Sequence, residues 1–168
     1  LGGKGRTFVR DPAVVEETDY LFLEATYGNR LHSREDRLRA LEEVVWDTYR
    51  RGGNLIIPAF AVERTQDLIY DLFLLLDAGR FPPMKIYIDS PMAAAVTEIF
   101  NKYTYYFDEE ACQLVNRGKN PLHTGAVHFA RTQEESMALN RIKGGTIIIA
   151  ASGMCEAGRI KHHLKHNL

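Results

Sequence analysis

The chain has 168 residues, with 21 Lys and Arg against 22 Asp and Glu for a formal net charge of −1, and 45% of its side chains are hydrophobic. That length matches one domain of about 100–200 residues, and the ordinary globular composition excludes disordered, collagen-like and disulfide-scaffold classes. Near-neutral charge excludes a strongly cationic nucleic-acid coat, while a local basic patch stays compatible with it.

In chain order, Tyr20-Leu21-Phe22-Leu23 predicts a first strand, and Leu38, Leu41, Val44, Val45 and Tyr49 recur at helical spacing between Arg34 and Arg51. After the Gly52-Gly53 breaker, Asn54 to Pro58 predicts a second strand and Val62 to Asp77 a helix with Leu68, Ile69, Leu72, Phe73 and Leu76 inward. Lys85 to Asp89 is a third strand, with Ser90 as N-cap and Pro91 in the first turn of a helix from Met92 to Tyr103. Tyr103 to Thr124 is irregular by pattern, with an exposed loop over Asn116 to Pro121. Val127 to Ala130 is a fourth strand, and Thr132 with Glu135 forms a capping box for a helix to Arg141. Thr146 to Ala151 is a fifth strand, followed by a helix from Gly158 to His166.

Strands apolar on both faces and alternating with helices predict an α/β fold, a mainly parallel sheet with helices on both sides. Ligands of such sheets sit beyond the carboxyl ends of the strands. Glu24 to Gly28, Pro58 to Phe60, Asp89-Ser90 and Ser152 to Met154 occupy those ends. Tyr27, Phe60 and Tyr87 lie near the same edge, where aromatics either stack bases or simply pack.

Gly153 and Gly158 are spaced as in a phosphate-cradling loop, where backbone N–H groups and a helix N-terminus attract an anion. Arg159-Ile160 stands where nucleotide hydrolysis would need Lys and Ser or Thr, so triphosphate cleavage is disfavoured. The same pattern also fits an unliganded strand-to-helix turn. His162 and His166 share a helix face at i,i+4, but two imidazoles without a third ligand do not make a zinc site, and Arg159, Lys161 and Lys165 beside them suit a polyanion. Cys112 and Cys155 have no CxxC spacing and read as free thiols of a reducing compartment. No apolar run approaches the roughly 18–20 residues of a membrane helix, and Leu1 to Arg6 has no secretory core, so the expectation is a cytoplasmic protein without membrane contact.

Four stretches, Leu21 to Arg30, Ile57 to Gln66, Ile88 to Ala93 and Ser152 to Arg159, resemble in that order the signatures of β-CASP nucleases of the metallo-β-lactamase fold. The resemblance covers nearly the whole chain. It implies a ribonuclease that hydrolyses RNA phosphodiester bonds with zinc, its β-CASP domain capping a metal-bearing metallo-β-lactamase domain of the same polypeptide. It places the zinc ligands outside this chain, which is then expected to bind no metal and to be inactive alone. It implies a linker over residues 1–18 and a β-CASP domain over 19–168. Glu24 matches the family's first acidic motif, which supports an active-site histidine. Arg64, Asp89, Ser90, Ser152, Gly153, Gly158 and Arg159 match positions at or near the cleft and are expected to contact or shape a groove for single-stranded RNA, held without regard to sequence. Two rival readings are a stand-alone flavodoxin-like module for phosphate or a nucleotide, and a scaffold for protein interaction.

Overall fold

The computed structural model describes residues 3–31 and 36–168. Its centre is a four-stranded parallel sheet in the order β1-β4-β2-β3, formed by β1 (Asn54–Pro58), β2 (Lys85–Asp89), β3 (Val127–Phe129) and β4 (Thr146–Ala150). β4 lies between β1 and β2, with Ile147 opposite both Leu55 and Ile86, and all five of its residues are buried. This explains its uninterrupted apolar sequence, because a central parallel strand has no solvent face. Ile147 and Ile149 join the larger core with Val45, Ile69 and Leu72. Ile148 points to the opposite face, where it meets Ala130 and Leu139.

Six helices connect and flank the strands: α1 (Arg37–Arg50), α2 (Arg64–Asp77), α3 (Pro91–Lys102), α4 (Glu109–Asn116), α5 (Gln133–Leu139) and α6 (Ile160–Asn167). The caps follow the sequence pattern. Ser90 Oγ accepts from the Ala93 N–H at 3.2 Å, and the Thr132–Glu135 capping box closes in both directions. The expected helix start at Arg34 lies outside the described residues, and α1 begins at Arg37, capped by Asp36. The stretch that looked irregular contains α4, capped by Asp108 and preceded by a 3-10 turn at Thr104–Tyr106. At eight residues, α4 is too short to display a periodic apolar stripe.

One expectation needs correction. Tyr20 to Leu23 is not a strand of this sheet, and its side chains are exposed, Phe22 by 95%. A strand needs a neighbour for its backbone donors and acceptors, and the sheet consists of four strands that do not include it. Within the span expected to be a linker, Phe8 belongs to the core. Phe8 is 1% exposed, stacks on Tyr70 with ring centroids 5.3 Å apart and meets Phe107 edge-on at 5.2 Å. The Asp108 N–H donates to Phe8 O at 2.9 Å, and Arg10 N–H to Tyr106 O at 3.1 Å, so the chain is anchored at Phe8 and just after it. No helix among the described residues is long and apolar enough to cross a membrane.

Candidate functional site

The parallel strands deliver Pro58, Asp89, Phe129 and Ala150 to one edge of the sheet. There Asp89 forms the hub of a buried polar network. Its Oδ1 accepts from Arg159 Nη1 at 2.6 Å, and its Oδ2 accepts from Ser136 Oγ at 2.6 Å and lies 2.5 Å from His163 Nε2. His163 Nδ1 is 2.8 Å from Asn140 Oδ1. Arg159 also donates to the carbonyls of Ala130 and Arg131, tying α6 to the end of β3. The side chains of Asp89 and His163 are fully buried. Burial alone pushes the Asp89 carboxyl up, but hydrogen bonds from His163, Ser136 and Arg159, with the Arg159 charge, outweigh it and hold the group below its ordinary value.

Of the two roles expected for Asp89 and Ser90, contacting RNA or shaping the cleft, their burial fits the second. Asp89 and Ser90 are buried, one as the hub and the other as the cap of α3, so neither presents a free polar group at the edge. Both act by positioning neighbours. Arg159 commits three of the five N–H donors of a guanidinium to protein atoms.

The glycine loop is packed more tightly than an open phosphate cradle. Ser152 N–H donates to Ala157 O, Cys155 N–H to Ser152 O, and Ile160 N–H to Ala151 O. Gly153 lies against Phe60, where a Cβ would sit 3.1 Å from the ring. Gly158 has φ +80° and a Cβ there would come within 2.4 Å of Ala151 O. Both glycines therefore have steric reasons to be glycine before any anion is considered.

Beside the loop, Phe60 is half exposed, and Arg64 opens α2 with its guanidinium 3.7 Å from Asp67. Glu63 turns the chain into α2 at φ +66° and pairs with Arg6 at 3.1 Å. Gln66, buried, donates from Nε2 to Thr97 Oγ1 at 2.9 Å and binds α2 to α3. Tyr87 faces His128, ring centroids 5.3 Å apart. Glu24 is not brought to this edge network. It is exposed, its carboxylate accepts from the Thr26 N–H at 3.0 Å, and that bond lowers its pKa.

Ser136 and Asn140 have no place among the residues expected from sequence, and His163 enters there only as one of three histidines on the last helix. Their signal was present at helical spacing: Ser136 and Asn140, like Arg159 and His163, stand four residues apart, so each pair shares a face. Attention went to His162 and His166 instead. His166 Nδ1 donates to the His162 carbonyl at 2.7 Å. Among the described residues no group of three or more His, Cys, Asp or Glu side chains converges as metal ligands would.

The model of the Beta-Casp domain matches residues 65–168. Along its entire length the chain is 38% identical to Ribonuclease TTHA0252 of Thermus thermophilus, of which it covers 39%. It is 30% identical, over 97% of its length, to an RNase J-like protein of Methanocaldococcus jannaschii, covering 38% of that protein. It is 31% identical over 86% of its length to a transcription termination factor FttA of a Lokiarchaeum species, covering 23% of it. The chain thus spans about two fifths or less of the curated relatives it matches.

Proposed function

The chain belongs to the Beta-Casp domain family, and from that premise we propose that it is the substrate-holding segment of a zinc-dependent ribonuclease hydrolysing RNA phosphodiester bonds. The observation that carries this reading is the unbroken similarity to a protein named a ribonuclease, 38% identical over all of this chain. A stand-alone phosphate or nucleotide module is not favoured, because the similarity runs to longer proteins named for RNA cleavage or transcription termination.

In this reading the zinc is held by a metallo-β-lactamase domain of the intact enzyme; among the described residues no group of three or more His, Cys, Asp or Glu side chains converges as metal ligands would. What this chain contributes is a rigid edge. Phe60 offers an exposed ring for a base, Arg64 an exposed cation for a phosphate, and the loop from Ser152 to Gly158 its remaining backbone N–H groups. Asp89 holds Arg159 in place, and Glu24 supports the catalytic centre. Tyr20 to Leu23, apolar and unpaired here, supplies a strand and an apolar face to the metal-bearing domain. The protein acts in the cytoplasm on single-stranded RNA with little regard to sequence.

Two measurements test the proposal. The intact protein cleaves end-labelled single-stranded RNA and loses that activity with a zinc chelator, whereas the 168-residue chain binds no stoichiometric zinc and cleaves nothing. Zinc at about two atoms per chain, or cleavage by the chain alone, would overturn the division of labour. In hydrogen exchange, the amides of Tyr20 to Leu23 are slow in the intact protein and fast in the chain. Equal, fast exchange in both would remove the docking strand.

A further inference from the structure

On the face of the sheet away from the larger core, α5 and α6 leave between them a cavity of about 590 Å³, within the range of 300–1,000 Å³ usual for ligand sites. Its α5 side is formed by Gln133, Ser136 and Asn140 and ends at Arg141; its α6 side carries Arg159, His162 and His166. No carboxylate lines it. Asp89 is sealed behind the wall by Ser136, His163 and Arg159. The two acids at the start of α5 are engaged at that helix's own N-terminus: Glu135 accepts from the Arg131 and Thr132 N–H groups, and Glu134 is held by its own backbone and Thr132. From Arg159 to Leu168 the sequence contains no acidic residue. Arg141 and His162 are exposed, and among the described residues neither forms an ion pair.

The direction of this groove matters as much as its charge. β4 ends at the carboxyl edge with Ala150, and α6 starts there and runs back across the sheet. Gln133 and Arg159 therefore stand at the edge, while Arg141 and His166 stand about 10 Å further back at 1.5 Å per helical residue. Its donors are spread over more than one phosphate spans. We propose that the α5–α6 groove is a second RNA site, which receives the part of a single strand that extends past the carboxyl edge and holds its phosphates through Arg141, His162 and the free donors of Arg159. This rests on the RNA-holding reading above and extends it to a surface outside the cleft. Gln133 and the amide of Asn140 supply neutral donors and acceptors for sugar hydroxyls. His166, with Nδ1 fixed on the His162 carbonyl, presents only Nε2.

The test is fluorescence-anisotropy titration of the intact protein with an oligouridylate of about twelve nucleotides, within the usual site sizes of single-strand binders, with a trinucleotide, and with uridine monophosphate. The double variant Arg141→Ala/His162→Ala changes two exposed side chains, and a matching thermal melt establishes that it folds. It weakens the longer oligonucleotide about tenfold and lowers the slope of log affinity against log salt by about one unit, while the trinucleotide, held at the edge, changes less than twofold. Arg141→Glu produces the larger loss. Unchanged affinity of the longer oligonucleotide in both variants overturns the groove and leaves the edge reading intact. Tight binding of the monophosphate that falls as steeply as the longer oligonucleotide also overturns it, since the pocket would then be a mononucleotide site. A wild-type protein with no affinity for any of the oligonucleotides overturns both readings together.

Discussion

Tyr20-Leu21-Phe22-Leu23-Glu24 and Lys85-Ile86-Tyr87-Ile88-Asp89 are alike on paper, each an apolar run closed by a carboxylate. In the structure they are opposites. β2 is hydrogen-bonded on both sides, to β4 and β3, with Ile86 and Ile88 fully buried, while Tyr20 and Phe22 are 84% and 95% exposed. Asp89 is surrounded by donors from α5 and α6; Glu24 has the Thr26 amide two residues away. The difference teaches that the strand does not determine what its terminal carboxylate does. The neighbours that the sheet brings determine it, and Glu24, outside the sheet, receives a donor only from its own turn.

The largest effect should come from removing the better-supported acid. Asp89→Ala leaves the buried His163 and the part-buried Arg159 without their shared anion, and breaking a buried pair in this way costs about 3–5 kcal/mol. Chemical denaturation should show that loss at neutral pH; a loss below about 1 kcal/mol, the scale of an exposed ion pair, would mean the network adds little. The pH dependence has a fixed sign. Because the folded-state pKa of Asp89 is lowered, its contribution is complete above the ordinary carboxylate range and disappears as pH falls through the lowered value. The stability difference between wild type and Asp89→Ala should therefore shrink in acid.

A smaller loss is expected from Gly158→Ala, which tests whether the hub depends on the loop that delivers Arg159. The new methyl would meet the Ala151 carbonyl at 2.4 Å, at a φ of +80°. Strain and displacement of this kind cost about 1–3 kcal/mol, and Arg159 should shift with the loop. A melt identical to wild type would show that the loop yields without disturbing the network.

Asp67 is a third carboxylate, with burial but few donors, and it should respond in the opposite direction to Asp89. Burial pushes it up to about 6, with Arg64 at 3.7 Å as a partial counterweight. The folded protein thus holds this proton more tightly than the unfolded chain, so stability is greatest where Asp67 is protonated and declines as pH rises from about 4 through about 6. Asp67→Asn, which keeps the shape and removes the charge, should stabilise by about 1–2 kcal/mol in mildly alkaline buffer. It should be neutral in acid, and denaturation curves at both pH values check it. A gain that persists in acid would point to packing rather than charge.

Much of this architecture was legible because it follows from local rules. The isoleucine run of β4, the Ser90-Pro91 start of α3 and the Thr132–Glu135 capping box each state their structure within a few residues. The candidate site was legible only where it coincides with a motif. Asp89 and Arg159 stood out at a strand end and a glycine loop, but their contact spans 70 positions. Ser136 and Asn140 carry only the weak mark of two polar residues four apart on a short helix and its C-cap. Phe8 was missed for a similar reason: one aromatic in a glycine-rich stretch has no periodicity, and only the tertiary pocket of Tyr70, Phe100 and Phe107 identifies it as core.

The smallest effect on stability belongs to Glu24, where the comparison of the two carboxylates is sharpest. Glu24→Gln preserves an oxygen able to accept the Thr26 N–H, and the side chain touches none of the domain's core, so the melting temperature of the chain should not move. In the intact enzyme the expectation differs. If Glu24 steadies an active-site histidine, loss of its charge lowers turnover by about tenfold or more, the scale on which acid–base partners act. It should also move the acidic limb of the pH–rate profile downward, because a histidine deprived of a neighbouring anion gives up its proton more readily. A structural role would leave that profile in place and reduce activity only in step with stability. Turnover that falls with a displaced profile and an unchanged melt therefore assigns Glu24 to the chemistry. A parallel loss of melting temperature and activity, with the profile unmoved, would make it a second carboxylate of the Asp89 kind whose partners lie in the neighbouring domain.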